Sequence, residues 1–375
     1  MKNKSKLLEI ALVFLKLGTF GFGGPPALIA LMETEMVHKR QWVSRKLFMD
    51  MLAAINLVPG PNAVEMAIYL GYVHAGYLGL VIGGICFLIP AFIITLFFSI
   101  GYAKWGVLPQ IQVIFSCIAP FIIAIIFASA YRIGKSALKN PKTILIALGC
   151  FVAFYFGFDG IYLVMLAGMT SLIIYIFENR FYTNIIFIAP FISSLSIIAI
   201  NINDKLLSLG LYFLKIGAVL FGGGFALFAY IQDDVVNRFQ WLTEKQLLDA
   251  ITIGQITPGP VSSAATFIGY LVKGVPGALV ASVAIFVPSF IIVLIVGRFL
   301  PRLRKSIPIQ QFLDGVNAAV VILIVTIGIS FIKLSSNDLI SLTMVMVGLF
   351  ALIKFKMDPI WLIICGTLIG LIKLI

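Results

Sequence analysis

Apolar residues run through this chain in blocks of about twenty, separated by short polar stretches, and a helix needs roughly 20 such residues to cross a bilayer. The first half gives segments near 7–22, 45–72, 77–101, 110–130, 142–157 and 160–177. The second gives segments near 205–221, 245–272, 276–298, 309–332, 338–354 and 358–374. A further apolar run, Ile185 to Ile200, lies between them. One motif interrupts both members of a matching pair: Leu57-Val58-Pro59-Gly60-Pro61 and Ile256-Thr257-Pro258-Gly259-Pro260. Proline removes a backbone donor and clashes with the preceding turn, so Pro-Gly-Pro predicts the end of one half-helix and the start of another. Lipid does not tolerate the polar groups this frees, so such a break belongs in a protein-lined interior and points to a transport site. Glycine-rich or Pro-broken segments that re-enter instead of crossing would lower the number of crossings, and if the same segments do so in both halves, the relative orientation of the halves is unchanged.

The chain aligns with itself. At an offset of 199 residues, Phe14-Leu15-Lys16-Leu17-Gly18 falls on Phe213-Leu214-Lys215-Ile216-Gly217, and Phe22-Gly23-Gly24 on Phe221-Gly222-Gly223. The same offset carries Gln41-Trp42, Lys46, Asp50 and Pro59-Gly60-Pro61 onto Gln240-Trp241, Lys245, Asp249 and Pro258-Gly259-Pro260. After one gap, Pro90-Ala91-Phe92-Ile93-Ile94 meets Pro288-Ser289-Phe290-Ile291-Ile292. A register kept over some eighty residues marks an internal duplication.

Six segments and one linker make an odd number, so the second half is expected to enter the membrane upside down. Charge tests this separately, because cytoplasmic loops carry the excess of Lys and Arg. Arg132, Lys135, Lys139 and Lys142 follow the fourth segment of the first half, whereas Arg298, Arg302, Arg304 and Lys305 follow the third of the second. Both clusters are cytoplasmic only if the halves are inverted, with the N-terminus inside and the C-terminus outside. The expected fold is an all-α polytopic membrane protein: a repeat over 1–180, a linking transmembrane segment over 181–201 and an inverted repeat over 202–375.

Composition agrees and excludes other classes. With 61% hydrophobic and 11% charged residues and a mean hydropathy of +1.11, the chain is no soluble globule. The net charge of +12 resides in short loops and reports orientation, so no nucleic-acid partner is expected. Met1 to Lys6 leads into a first membrane segment, with no cleavage site of a removed signal. Cys86, Cys117, Cys150 and Cys365 are dispersed in apolar segments, and His38 and His74 have no ligand spacing to them or to each other. Neither a metal nor a cofactor is implied. No metalloenzyme signature or nucleophile elbow suggests an enzyme.

The candidate chemistry clusters at the breaks. Glycines in Phe20-Gly21-Phe22-Gly23-Gly24-Pro25-Pro26 and Phe221-Gly222-Gly223-Gly224 let a backbone approach a ligand closely; tight helix packing is the alternative. A half-helix starting after Pro61 or Pro260 aims free amides and a positive dipole end at the break, which suits an anion. Ser262, Ser263 and Thr266 follow with hydroxyl donors, unless these cap or back-bond the helix. Lys16 and Lys215 each precede their glycine break by two turns on the same face, as dianion ligands or as snorkelling side chains. Glu65, opposite Ala264, is a candidate coupling residue or a helix-dipole partner. Asn62 and Gln255 complete a polar lining. Asp50 and Asp249, with Lys46 and Lys245 at i−4, look like surface pairs.

With these motifs the chain resembles the chromate ion transporters in their two-domain form. The resemblance rests on Phe22-Gly23-Gly24-Pro25, Pro59-Gly60-Pro61-Asn62-Ala63-Val64-Glu65-Met66-Ala67, Phe221-Gly222-Gly223-Gly224, Gly254-Gln255-Ile256-Thr257-Pro258-Gly259-Pro260 and Ala265-Thr266-Phe267-Ile268-Gly269-Tyr270. It implies an inner-membrane exporter of chromate and sulfate-like oxyanions. The expected site is Lys16, Gly23, Gly24, Pro59, Gly60, Pro61, Asn62, Lys215, Gly222, Gly223, Gln255, Pro258, Gly259, Pro260, Ser262 and Ser263, with Glu65 for coupling, where one repeat rocks against the other. Membrane lipid is the other expected partner, and a homodimer is left open.

Overall fold

The computed structural model describes residues 2–179, 204–222, 224–297, 306–335 and 339–374. Expectations about the linking run 185–200, Gly223 and the cluster at Arg298, Arg302, Arg304 and Lys305 fall outside these residues. Every regular element described is helical. The first half comprises α1 (Lys2–Phe20), α2 (Gly24–Glu33) running on into a π-helical turn (Thr34–Lys39), α3 (Arg45–Ile55), α4 (Asn62–Trp105), α5 (Pro109–Ala137), α6 (Pro141–Tyr155) and α7 (Gly160–Asn179). The second comprises α8 (Lys205–Val219), α9 (Gly224–Gln232) with its π-helical turn (Asp233–Arg238), α10 (Glu244–Ile256), a 3₁₀ turn (Val261–Ser263), α11 (Ala264–Val296), α12 (Ile307–Ser335), α13 (Leu339–Lys354) and α14 (Pro359–Ile372). Five of these helices are long and apolar enough to cross a membrane.

The duplication extends to backbone angles. Positive φ recurs at matched positions: Gly23 and Gly222 (94° and 87°), Gly60 and Gly259 (150° and 102°), Gly76 and Gly274 (67° and 63°), and Gln41 and Gln240 (54° and 52°). The caps differ while doing the same work. Ser44 accepts a hydrogen bond from the Leu47 amide at 3.2 Å to start α3, whereas Thr243 and Gln246 form a capping box to start α10.

The broken segments turn back on themselves. α4 reverses at Ala75 and Gly76, whose angles are not helical. Gly71 then packs on Gly79, and Gly83 on Ala67, so the arms 62–74 and 77–105 are antiparallel. Small residues let such backbones approach closely in lipid, where the hydrophobic effect does not drive helix association. Trp42, just before α3, stacks on His74 at the end of the first arm, with ring centroids 4.0 Å apart. The stretch from α3 through Pro-Gly-Pro to His74 therefore begins and ends at one level. Arg40, after the first π-turn, bonds Glu9 of α1 at 2.6 Å. So α1 and α2 also form a hairpin, with the glycine break at its tip. Both hairpins of the first half open on one face, and the long arm 77–105 is the first to cross to the other. The second half repeats this through Gly269, Gly277 and a reversal at Lys273 and Gly274.

Cross-half contacts establish the inversion. Tyr69, near the opening of the first-half hairpin, donates to the Gly297 carbonyl at the far end of α11 (3.0 Å). Tyr102, near the far end of α4, donates to Asp249 of α10 (2.6 Å). The second-half hairpins thus open where the first-half long arm ends.

Two packed bodies result, and both draw on each half. One holds the hairpins: α1 packs on α4, α8 on α11, and α4 on α11. The other is a bundle in which α5 packs on α12, while α13 and α14 pack on α5 and α6 and α7 pack on α12. Each half thereby lends its last two helices to the other half's long helix.

Candidate functional site

The four breaks meet. The Gly60 amide of the first Pro-Gly-Pro donates to the Leu220 carbonyl at the second glycine break (2.8 Å), and the Gly259 amide donates to the Gly21 carbonyl at the first (2.9 Å). These bonds are pseudo-symmetric equivalents, so each hairpin tip is fastened to a tip of the other half. Pro59, Gly60, Pro61, Pro258, Gly259 and Pro260 are all buried, and Gly23, Gly24 and Gly222 are half-buried beside them. Gly223 lies outside the described residues. The first amides of α4 and of the turn at Val261–Ser263 open onto this meeting point, where helix geometry leaves them without intrahelical acceptors. Thr257 adds a contact to Thr95 of α4 at 3.4 Å.

Several polar side chains around the breaks are buried and have no hydrogen-bond partner: both carboxylate oxygens of Glu65, Ser262 Oγ, Ser263 Oγ, Ser289 Oγ and Gln255 Nε2. Buried polar atoms are paired in the great majority of cases, so this concentration marks a place built for more than packing. Asn62 donates to Asn56 across the first break at 2.6 Å. Thr266 is committed elsewhere: its hydroxyl pairs with Ser282 at 2.7 Å between the two arms of the second hairpin. Ser263 lines an apolar groove of about 380 Å³ between the long arms of α4 and α11. Of the three hydroxyls expected after Pro260, only Ser262 is both unpartnered and outside that groove's lining.

Two expectations about charged residues change. Asp249 is not a surface residue but is 5% exposed and bonded to Tyr102, while Lys245 reaches Gln112 at 3.4 Å. α10 packs on α4, α5, α12 and α14, which covers the face that an i−4 pair would have needed. The lysines do not meet over one ligand. Lys16 lies 3.6 Å from Glu35, and Lys215 lies over the Tyr162 ring at 5.7 Å. Because the hairpins enter from opposite faces, the two ammonium groups flank the breaks from opposite sides.

The sequence reading missed Ser289. It packs against Gly60 beside Glu65, and one methyl group added to Gly60 would collide with both side chains. Its signal was present: in the repeated Pro-x-Phe-Ile-Ile motif it is the polar replacement for Ala91.

The halves match in sequence but not in docking. α9 packs on α12 and α7 of the bundle, whereas α2 and α3 make no comparable packing there among the described residues. Met49 on α3 is 48% exposed where its equivalent Leu248 is 4%, and Phe20 is 67% exposed where Val219 is 2%. Gly222 abuts Val320 of α12, but Gly23 abuts Asp358, the cap of α14. The hairpin body therefore docks on the bundle through its second-half hairpins, and α2 and α3 lack the equivalent contact among the described residues.

Comparison with known proteins agrees with this architecture. The sequence model of the family described as chromate transporter matches residues 8–172 and again residues 207–371. A chromate transport protein of Cupriavidus metallidurans is 34% identical over 378 residues, covering 98% of this chain and 93% of that protein. A probable chromate transport protein of Synechococcus elongatus is 32% identical, with 93% of this chain and 89% of that one covered. The uncharacterized transporter YwrA of Bacillus subtilis is 35% identical over 155 residues, 40% of this chain and 86% of its own length, which corresponds to one repeat. No solved structure matches.

Proposed function

This chain belongs to the chromate transporter family, and on that premise we propose that it exports chromate, and sulfate-like oxyanions with it, across the cell's inner membrane. The observation that carries this reading is the reciprocal fastening of the breaks, Gly60 to Leu220 and Gly259 to Gly21. It gathers helix N-termini and the unpartnered Ser262 hydroxyl around the pseudo-two-fold axis, a donor set suited to a tetrahedral dianion. The basic cluster between α5 and α6 supports a cytoplasmic N-terminus and an external C-terminus.

Transport proceeds by alternating access. The moving units are the hairpin body and the bundle, each containing parts of both repeats, instead of one repeat against the other. The unequal docking supports a cycle in which the repeats exchange conformations, so that the anion passes Lys16 on the cytoplasmic side and Lys215 on the external side in turn. Expelling two negative charges from a negative interior is favourable by about 4–5 kcal/mol at 100 mV. Export thus has a driving force without any counter-ion.

Uptake of labelled chromate and sulfate into everted membrane vesicles, with the membrane potential and the pH gradient collapsed separately, tests this. Chromate uptake that falls with the potential and is competed by sulfate is expected. No chromate uptake under either condition refutes the substrate, and currents beyond a carrier's turnover refute alternating access.

A further inference from the structure

Glu65 presents a problem that oxyanion transport leaves unsolved. Its side chain is fully buried in the first turn of α4, its two oxygens have no hydrogen-bond partner, and no described charged side chain acts on it. Gly60 of its own break and Ser289 on the long arm of α11 lie beside it, and Ser289 is itself fully buried and unpartnered. A bare carboxylate is not stable in such surroundings. The dipole of α4 supplies about half a positive charge at this end, which is not enough to balance a whole one.

We propose that Glu65 and Ser289 form a site for one monovalent cation, a proton or a sodium ion, at the contact between the two halves. The carboxylate supplies the charge and the Ser289 hydroxyl a further oxygen, each from a different repeat. Gly60 has no side chain, which keeps the space between them open. In the other repeat the equivalent positions are Ala264 and Ala91, so the duplicated fold has room for two such sites and carries the chemistry for one. One bound cation reduces the net charge moved with a dianion by one, which makes the site a coupling device in the transporter reading. Its occupancy by a cation does not depend on that reading.

The test uses the purified full-length protein without any oxyanion. In the sodium arm, thermal unfolding is followed in sodium chloride against choline chloride at constant ionic strength. In the proton arm, difference infrared spectroscopy records the stretch of a protonated buried carboxyl. A saturable sodium stabilisation, or a carboxyl band, is expected in the wild type and lost in Glu65→Gln. Ser289→Ala, which serves if Glu65→Gln fails to fold, is expected to raise the sodium half-saturation at least tenfold or to shift the carboxyl band. Sodium-insensitive unfolding together with superimposable wild-type and Ser289→Ala spectra overturns the site. Because neither readout involves chromate, a failed transport assay does not alter the result.

Discussion

Two glycines, both at positive φ but in different surroundings, separate the role of the breaks from mere backbone strain. Gly259, at the centre of the second Pro-Gly-Pro, has φ of 102°, and Gly274, at the hairpin reversal, has φ of 63°. Alanine at Gly274 meets nothing within 4 Å, so Gly274→Ala suffers only the backbone strain of φ 63° and ψ −151°, a region essentially reserved for glycine, about 1–3 kcal/mol. Alanine at Gly259 would place its Cβ 2.9 Å from the Ala91 Cβ. Ala91 has no side chain to swing aside, so relief requires α4 to move away from the break. That adds roughly 1–3 kcal/mol of overpacking to the strain. It also pulls on the Gly259 amide, which holds the Gly21 carbonyl at 2.9 Å. We expect Gly259→Ala to be less stable than Gly274→Ala by about 1–3 kcal/mol in denaturant titration of the purified protein. We also expect chromate uptake by everted vesicles to fall in Gly259→Ala by more than any loss of protein in the membrane, and to be retained in Gly274→Ala. Equal losses of stability and transport in the two variants would refute the idea that the junction of breaks is tightly packed and functional.

Ser44→Cys and Val73→Cys, which flank the re-entrant stretch at its two ends, are expected to react with an impermeant maleimide from the same face; labelling from opposite faces would return this stretch to a crossing. Tyr102→Phe keeps the ring contacts to Phe115 and Phe267 (5.7 and 5.0 Å) but leaves Asp249 without its hydroxyl, so stability should fall by about 1–3 kcal/mol in thermal unfolding. If the repeats exchange conformations as proposed, the Lys215 contact with Tyr162 becomes one between Lys16 and Trp361, which is now 56% exposed. The pair Lys16→Cys and Trp361→Cys should therefore cross-link more when external substrate draws the protein outward-facing, and a cross-linking yield indifferent to substrate would count against the exchange.

The large features were legible because they are written in hydropathy and repetition. The duplication, the inversion and the meeting of breaks all follow from paired motifs and loop charge. Local rules failed where tertiary partners decide. The helix at Gly24–Glu33 and its π-turn escaped notice because Glu33, Glu35, His38 and Lys39 depress their hydropathy. In the fold the buried Glu35 is matched by Lys39 at 2.8 Å and by Lys16 and Arg40 at 3.6 Å. The reversal at Ala75 and Gly76 falls in the gap between the segments read at 45–72 and 77–101, so the turn was legible; which of the broken segments re-enter was not, because hydropathy alone does not tell a hairpin from a crossing. Asp249 read as an exposed partner of Lys245 because the partner that matters, Tyr102, is 147 residues away.

In the proposed cycle, duplication lets one sequence support two access states, and its imperfections explain why the two need not be equally populated. If the repeats were identical, exchanging their conformations would cost nothing. Bias arises only where paired positions differ. In the register that aligns Pro90 with Pro288, Tyr102 falls on Leu300, while its acceptor Asp249 retains an equivalent in Asp50. The state described here has the Tyr102 to Asp249 bond closed, and its exchanged counterpart has no hydroxyl at that position to offer Asp50. A hydrogen bond to a charged group is worth about 1.5–3 kcal/mol, so this one substitution favours the present state by roughly ten- to a hundredfold. An oxyanion or a cation that drives the cycle must therefore bind the opposite state more tightly by at least that factor. In that cycle the diverged pairs, Tyr102 with Leu300 and Glu65 with Ala264, determine how hard the ligand has to push.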